Sequence, residues 1–331
     1  MDSFGIASLI MCLSFCLTFI PPQQTLAELS PSSLTNSIIT DPNLSKPEEK
    51  TKQEEASKQE EISKQKERSK QEEIYQLLLK GKIPHSIVTN YQTPEEPTVY
   101  LTFDDGPSKL TWSVLDILKD EEVKGTFFMV GEQAQSYPDL VKRVVREGHA
   151  IGNHSYNHVY KELYEDYDGF WKQIKQNEQI LFHLSGSYSR LLRAPGGTST
   201  NFDAFYFYYL EQAGYIVMDW NVDCGDSARR NVPASEIIQN VKKAPLRHEM
   251  NVLIHDGSGH HSSVQALKEI IRYFKNNGYT FAPLSSEVKP MQFPVAATKW
   301  KRDVSFARFL EFDTDTRAYA SVFSQTHILS E

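Results

Sequence analysis

From Thr98 to about Leu284 the chain alternates between two kinds of segment, and this alternation limits the possible folds more than any other feature. Short runs rich in β-branched and aromatic residues, at 98–103, 126–130, 149–152, 191–193, 215–219, 251–254 and 280–281, predict strands. Between them lie stretches with apolar residues at helical spacing, at 111–121, 138–147, 167–184, 202–213 and 233–242. Strands separated by helices cannot close as tight hairpins. They pair in parallel through crossover helices, which predicts an α/β fold, either a barrel or a doubly wound sheet. In both architectures functional side chains gather just past the C-terminal ends of the strands.

The rest of the chain reads differently. Phe4 to Ile20 is nearly continuous apolar sequence, followed by Pro21, Pro22 and a small-residue site at Thr25-Leu26-Ala27. Residues 1–27 are therefore expected to be a signal peptide or membrane anchor, although Asp2 replaces the usual basic start. Residues 28–90 form a polar linker, Ser/Thr/Pro-rich at first and then built from six-residue repeats of the type Ser-Lys-Gln-Glu-Glu-Ile. A six-residue period cannot keep an apolar seam on one side of a helix. Pairs such as Glu54/Lys58 and Glu60/Lys64 nevertheless support helix, so a helical spacer and a disordered tether both fit. The folded domain is expected over 91–298, and 299–331 forms a tail with no readable role. Of the three cysteines, Cys12 and Cys16 lie in the apolar run. Cys224 is left alone, without a disulfide partner, and is expected near the pocket rim in a structural role. A net charge of -8 argues against a nucleic-acid partner, which would need a basic face, and leaves a glycan open.

Four constellations carry chemistry. Asp104-Asp105-Gly106-Pro107 follows the first strand, and adjacent carboxylates at a strand end can divide the labour, one ligating a cation and the other serving as a base. Taken alone the pair fits a surface turn better. His154 and His158 stand at i and i+4, a spacing that on a helical turn lets two imidazoles hold one metal. Arg193-Ala194-Pro195-Gly196-Gly197 ends another strand. Its arginine can grip a carboxylate with two prongs, and its glycines can bring backbone N–H groups to a substrate oxygen. Leu253-Ile254-His255 delivers a histidine from an apolar strand, and one of the acids in 219–226 can keep it protonated. His260 and His261, in the glycine-rich stretch that follows, read as exposed loop residues, with a second metal site as the alternative.

In this order and spacing the motifs resemble the polysaccharide deacetylase family (carbohydrate esterase family 4, the NodB-homology domain), and most of all bacterial peptidoglycan N-acetylglucosamine deacetylases. The similarity spans about 98–284. It implies a distorted (β/α)7 barrel that hydrolyses N-acetyl groups with one divalent metal, Zn²⁺ being expected and Co²⁺ or Ni²⁺ the alternatives. Carried over by position, Asp105, His154 and His158 would hold the metal and Asp104 would be the base. Arg193 would orient that base, and His255 would be the acid with Asp226 beside it. Pro195, Gly196, Trp220 and Leu253 would face the glycan. Two departures bear on the substrate. The family's Asp-Trp pair stands here as Asp226-Ser227, and Gly196 replaces the aromatic that often follows the proline. The implied protein is exported or membrane-anchored, faces the wall of a Gram-positive bacterium, and acts on peptidoglycan. An O-acetyl esterase on xylan or another polysaccharide, or a non-catalytic wall-binding module, are the alternatives.

Overall fold

A computed structural model of the chain describes residues 46–85 and 90–328. The apolar run with Cys12 and Cys16, the expected cleavage site and the first part of the linker lie outside the described residues. The chain divides into two units, Met1–Gln59 and Glu60–Glu331.

The strands are β1 (Thr98–Asp104), β2 (Gly125–Met129), β3 (Ala150–Asn153), β4 (Leu191–Leu192), β5 (Ile216–Val217), β6 (Val222–Asp223), β7 (Glu249–His255) and β8 (Thr280–Phe281). The helices are α1 (Lys46–Leu79), α2 (Lys109–Asp120), α3 (Gly131–Ser136), α4 (Pro138–Arg146), α5 (Tyr160–Tyr164), α6 (Tyr167–Ser185), α7 (Ala204–Gln212), α8 (Ala234–Lys243), α9 (His261–Asn276) and α10 (Phe306–Ile328). All strand pairs are parallel, in the order β5-β4-β3-β2-β1-β7-β6, with β8 against the start of β1. This curled, helix-covered sheet is the distorted (β/α)7 barrel that the alternation and the family resemblance led us to expect. β6 is the strand the sequence did not reveal, since two residues carry no period.

Strand parity sorts the residues. In β1, Val99, Leu101 and Phe103 point outward into the cluster formed with α2, α4, α8 and α9. In β7, Met250, Val252 and Ile254 join the same cluster. The alternate positions, Thr102 and Asp104 on β1 and Asn251 and His255 on β7, therefore share the inner face. β1 and β7 are in register to their last residues, so Asp104 pairs with His255. The loop after β1 is held to β7 by backbone and side chain together: Asp256 N–H donates to Asp104 O, and Ser108 Oγ donates to Asp256 O at 2.6 Å. Ser108 also caps α2 through the Leu110 N–H.

A second cluster is dominated by aromatic residues of α5, α6 and α7, including Tyr164, Phe170, Phe205 and Tyr206. It also takes in Leu78 from the last turn of α1, and Phe309 and Phe312 from α10. The repeats of α1 are helical, with Lys64 and Glu60 forming the expected i,i+4 pair at 2.6 Å. Asp313, fully buried, knits the two helices to α7: it accepts from Gln71 Nε2, Tyr208 Oη and Arg317 Nε. Folded structure thus extends into both flanks of the expected domain, because aromatic side chains of α7 need cover from both. Among the described residues no helix is long and apolar enough to cross a membrane.

Candidate metal and acid–base site

The site lies at the C-terminal ends of the strands. Asp105 follows β1 in a left-handed conformation with φ 70, uncommon for a residue with a side chain. Its Oδ1 is buried and has no hydrogen-bond partner. Two imidazole nitrogens face it instead, His154 Nε2 at 3.3 Å and His158 Nε2 at 3.1 Å. The three donor atoms lie within 4.8 Å of one another. Burial works against the Asp105 carboxylate, but the two imidazoles outweigh it and hold the group well below its usual range.

The histidine pair does not stand on a helical turn, contrary to the expectation from its spacing. Residues 154–159 form a loop, with Ser155 at φ 65 and His158 at φ 60, and these two left-handed residues fold the chain back so the rings converge at 5.1 Å. The inner face of α6 anchors the loop. Gln173 Oε1 accepts from the Tyr156 and Asn157 N–H groups, while Asn177 holds Asn153, whose Oδ1 accepts from Ser155 N–H. His154 Nδ1 is 2.8 Å from Arg193 O. With that nitrogen donating to a carbonyl, Nε2 keeps its lone pair for a cation. An unpartnered buried carboxylate oxygen facing two imidazole nitrogens suits a divalent metal of intermediate softness, so these residues fit the implied group.

Arg193 is fully buried and lies against the Phe128 ring, 4.2 Å from its centroid. It does not grip a carboxylate with two prongs. Nη1 donates to Asp104 Oδ1 at 2.9 Å and to Thr102 Oγ1, Nε donates to Met218 O, and Nη2 to Asp219 O and Asn251 Oδ1. The carbonyls just after β5 compete successfully for the guanidinium because the sheet is open there and leaves them without a strand partner. Asp104 Oδ2 remains directed at the site, 3.9 Å from His154 Nε2.

His255 Nδ1 is 2.7 Å from Asp226 Oδ1. Burial alone would depress this imidazole, but Asp226 overcomes that and raises it to about 9. Asp226 is held below its ordinary value against burial by His255 and Ser263, whose Oγ donates at 2.6 Å. Ser263, in the first turn of α9, is a participant the sequence did not single out. Nor did it single out Asp256, fully buried, whose Oδ1 has no partner and whose Oδ2 accepts from Thr111. Burial raises Asp256 to about 7.

Of the remaining acids in 219–226, Asp219 ties the loop after Gly197 to the segment around Phe293. It accepts from Thr198 N–H and Oγ and from Phe293 N–H. Trp220 packs edge-on against Phe293, with centroids 5.0 Å apart, and shields Gly197. Gly196 is exposed at φ +71, and a Cβ there would come within 2.5 Å of Tyr160 Oη. Pro195 is buried, its carbonyl accepting from Tyr164 Oη at 2.8 Å, and Leu253 is buried on β7. Cys224 is not at a rim but wholly buried in the outer cluster. His261 is exposed, as expected of the pair, but it begins α9. His260 is partly buried and stacks on His255, with centroids 4.9 Å apart.

A family profile described as polysaccharide deacetylase matches residues 91–218. Two peptidoglycan-N-acetylglucosamine deacetylases of Bacillus cereus are 32% and 36% identical to this chain, the matches covering 62% and 63% of it and 75% and 96% of those proteins. The crystal structure of the polysaccharide deacetylase Bc1974 from Bacillus cereus aligns with a TM-score of 0.57 at 33% identity, covering 60% of this chain and 97% of that one.

Proposed function

The chain belongs to the polysaccharide deacetylase family, a family of hydrolases, and from that premise we propose that it removes N-acetyl groups from peptidoglycan N-acetylglucosamine in a zinc-dependent reaction. The observation that carries this reading is the unpartnered Asp105 Oδ1 between two imidazole nitrogens, with a tethered carboxylate and a charged imidazole on adjoining strands.

Asp105, His154 and His158 would hold the metal, which when bound polarises an acyl carbonyl and lowers the pKa of water. Arg193 fixes one oxygen of Asp104 and leaves the other to take a proton from the attacking water. His255, tied through Nδ1 to Asp226, would present its other nitrogen to the departing sugar amine and protonate it. Base and acid act together because β1 and β7 end in register. The exposed backbone at Gly196 is the proposed donor to the developing oxyanion, and Trp220 and Tyr160 wall the glycan groove.

Export of the protein, with residues 1–27 as signal or anchor and α1 as a spacer facing the cell wall, belongs to the same proposal. The sequence composition and the glycan-directed chemistry support it. Acetate release from peptidoglycan, chitooligosaccharide and acetylxylan, measured side by side with and without chelator, tests the reading. Peptidoglycan should be the best substrate and chelator should abolish release. Preference for acetylxylan would refute the substrate, and release that survives chelation would refute the metal.

A further inference from the structure

Asp226, His255 and His260 form a second group of metal-ligating side chains, distinct from the Asp105 site, with one donor atom from each within 4.8 Å of the others. His255 Nδ1 lies 2.7 Å from Asp226 Oδ1, and His260 Nδ1 lies 3.7 Å from Asp226 Oδ2. Donors on a tetrahedral cation with bonds of about 2.0 Å stand about 3.3 Å apart. The two observed separations bracket that value on different oxygens of Asp226, and the three donors lie within 4.8 Å of one another, so side-chain adjustment would close the site.

Gly259, at φ +99, is the turn that brings His260 back over His255. The three side chains are 1%, 12% and 22% exposed for Asp226, His255 and His260, so the cluster is closed behind and open toward solvent on the His260 side.

We propose that Asp226, His255 and His260 bind a second divalent cation, and that its binding inhibits turnover by removing His255 from service as the acid. Its binding would require His255 Nδ1 to give up the proton it shares with Asp226, which leaves to solvent. The binding part stands on geometry alone, whereas the inhibition rests on the acid role assigned to His255 above. His260 stacks on the machinery without belonging to it, which makes it the position to vary.

The test uses the full chain loaded with one equivalent of zinc and zinc itself as the probe. Binding is followed by calorimetry and metal analysis, and acetate release by titration with buffered free zinc. Wild type should take up a second, weaker equivalent in step with loss of activity. His260→Ala and His260→Gln should keep the first equivalent and the basal rate but lose the second, raising the zinc needed for half inhibition by about tenfold or more. His154→Ala should lose the tight equivalent and retain the weak one. The absence of a second equivalent in wild type at millimolar zinc would overturn the proposal. Inhibition and stoichiometry unchanged in both His260 variants would overturn it too. If no glycan releases acetate, the functional reading fails, and the stoichiometries alone decide the second site.

Discussion

Replacing Asp226 with Asn tests the acid assignment more sharply than deleting His255, because the imidazole stays in place. In wild type the carboxylate accepts from His255 Nδ1 at 2.7 Å and from His255 N–H at 2.8 Å, and the ring is raised from 6.5 to about 9. That difference corresponds to roughly 3 kcal/mol favouring the charged ring. An amide can still accept through one oxygen but contributes no net charge, and burial, which disfavours the cation, is then opposed only by the weaker influence of Asp105 and Asp104. The ring should fall to its ordinary value or below. Since the protonated form is the competent acid, wild-type activity should hold through neutrality and decline as pH rises through about 9. In Asp226→Asn the same decline should begin about two pH units lower, and near pH 7.5 only about a tenth of the rings would carry the proton. The assay is kcat/KM for acetate release from a chitooligosaccharide between pH 5.5 and 10, with zinc content confirmed at each end. An alkaline limb that stays near pH 9 in the variant would refute the reasoning, whatever the absolute rate.

Asp104→Asn should retain its bond from Arg193 and its zinc, yet lower turnover by roughly 10² or more; near-normal turnover would remove Asp104 as base. His154→Ala and His158→Ala should each abolish tight zinc binding at the Asp105 site, and stoichiometric tight zinc retained in both would defeat the ligand assignment. Glu178, buried and accepting from Tyr215 Oη, is raised by burial to about 7. Its folded pKa exceeds the unfolded one, so the stability it contributes is complete below about pH 4.5 and is lost as pH rises through about 7. Glu178→Gln should therefore be more stable than wild type near pH 8, by up to about 3 kcal/mol, and equal to it near pH 4.5; equal melting temperatures at both would contradict this.

Much of this was legible because the barrel repeats a simple rule. Outward positions of β1 and β7 are apolar and most inward ones are polar, and the inner register ends in Asp104 and His255. The motifs therefore stood at strand ends even when each was weak alone. The errors came where local pattern underdetermines conformation. An i,i+4 histidine pair fits a helical turn, and also a loop with two left-handed residues, and Ser155 and His158 give no sign of positive φ. Arg193 had more acceptors within reach than the carboxylate expected of it, because the carbonyls of Met218 and Asp219 meet it only in the folded state. α9 was hidden by the glycine-rich segment before it, and α10 because Asp313 and Thr316, polar residues, lie on its buried side. Cys224 carries no local mark of burial. Its surroundings come from the outer cluster that β6 and β7 share with the helices.

The barrel's open seam has a consequence for life at high concentration. β5 and β6, the outermost strands of the sheet, are two residues long each. A sheet edge is an invitation to another chain in proportion to the length of backbone it offers. Two residues offer too little for a foreign strand to add, and the carbonyls just beyond β5 are already taken by Arg193. The seam thus presents almost no free backbone to which a second chain could add, and Gln292 and the Met291 carbonyl cover part of what β5 leaves.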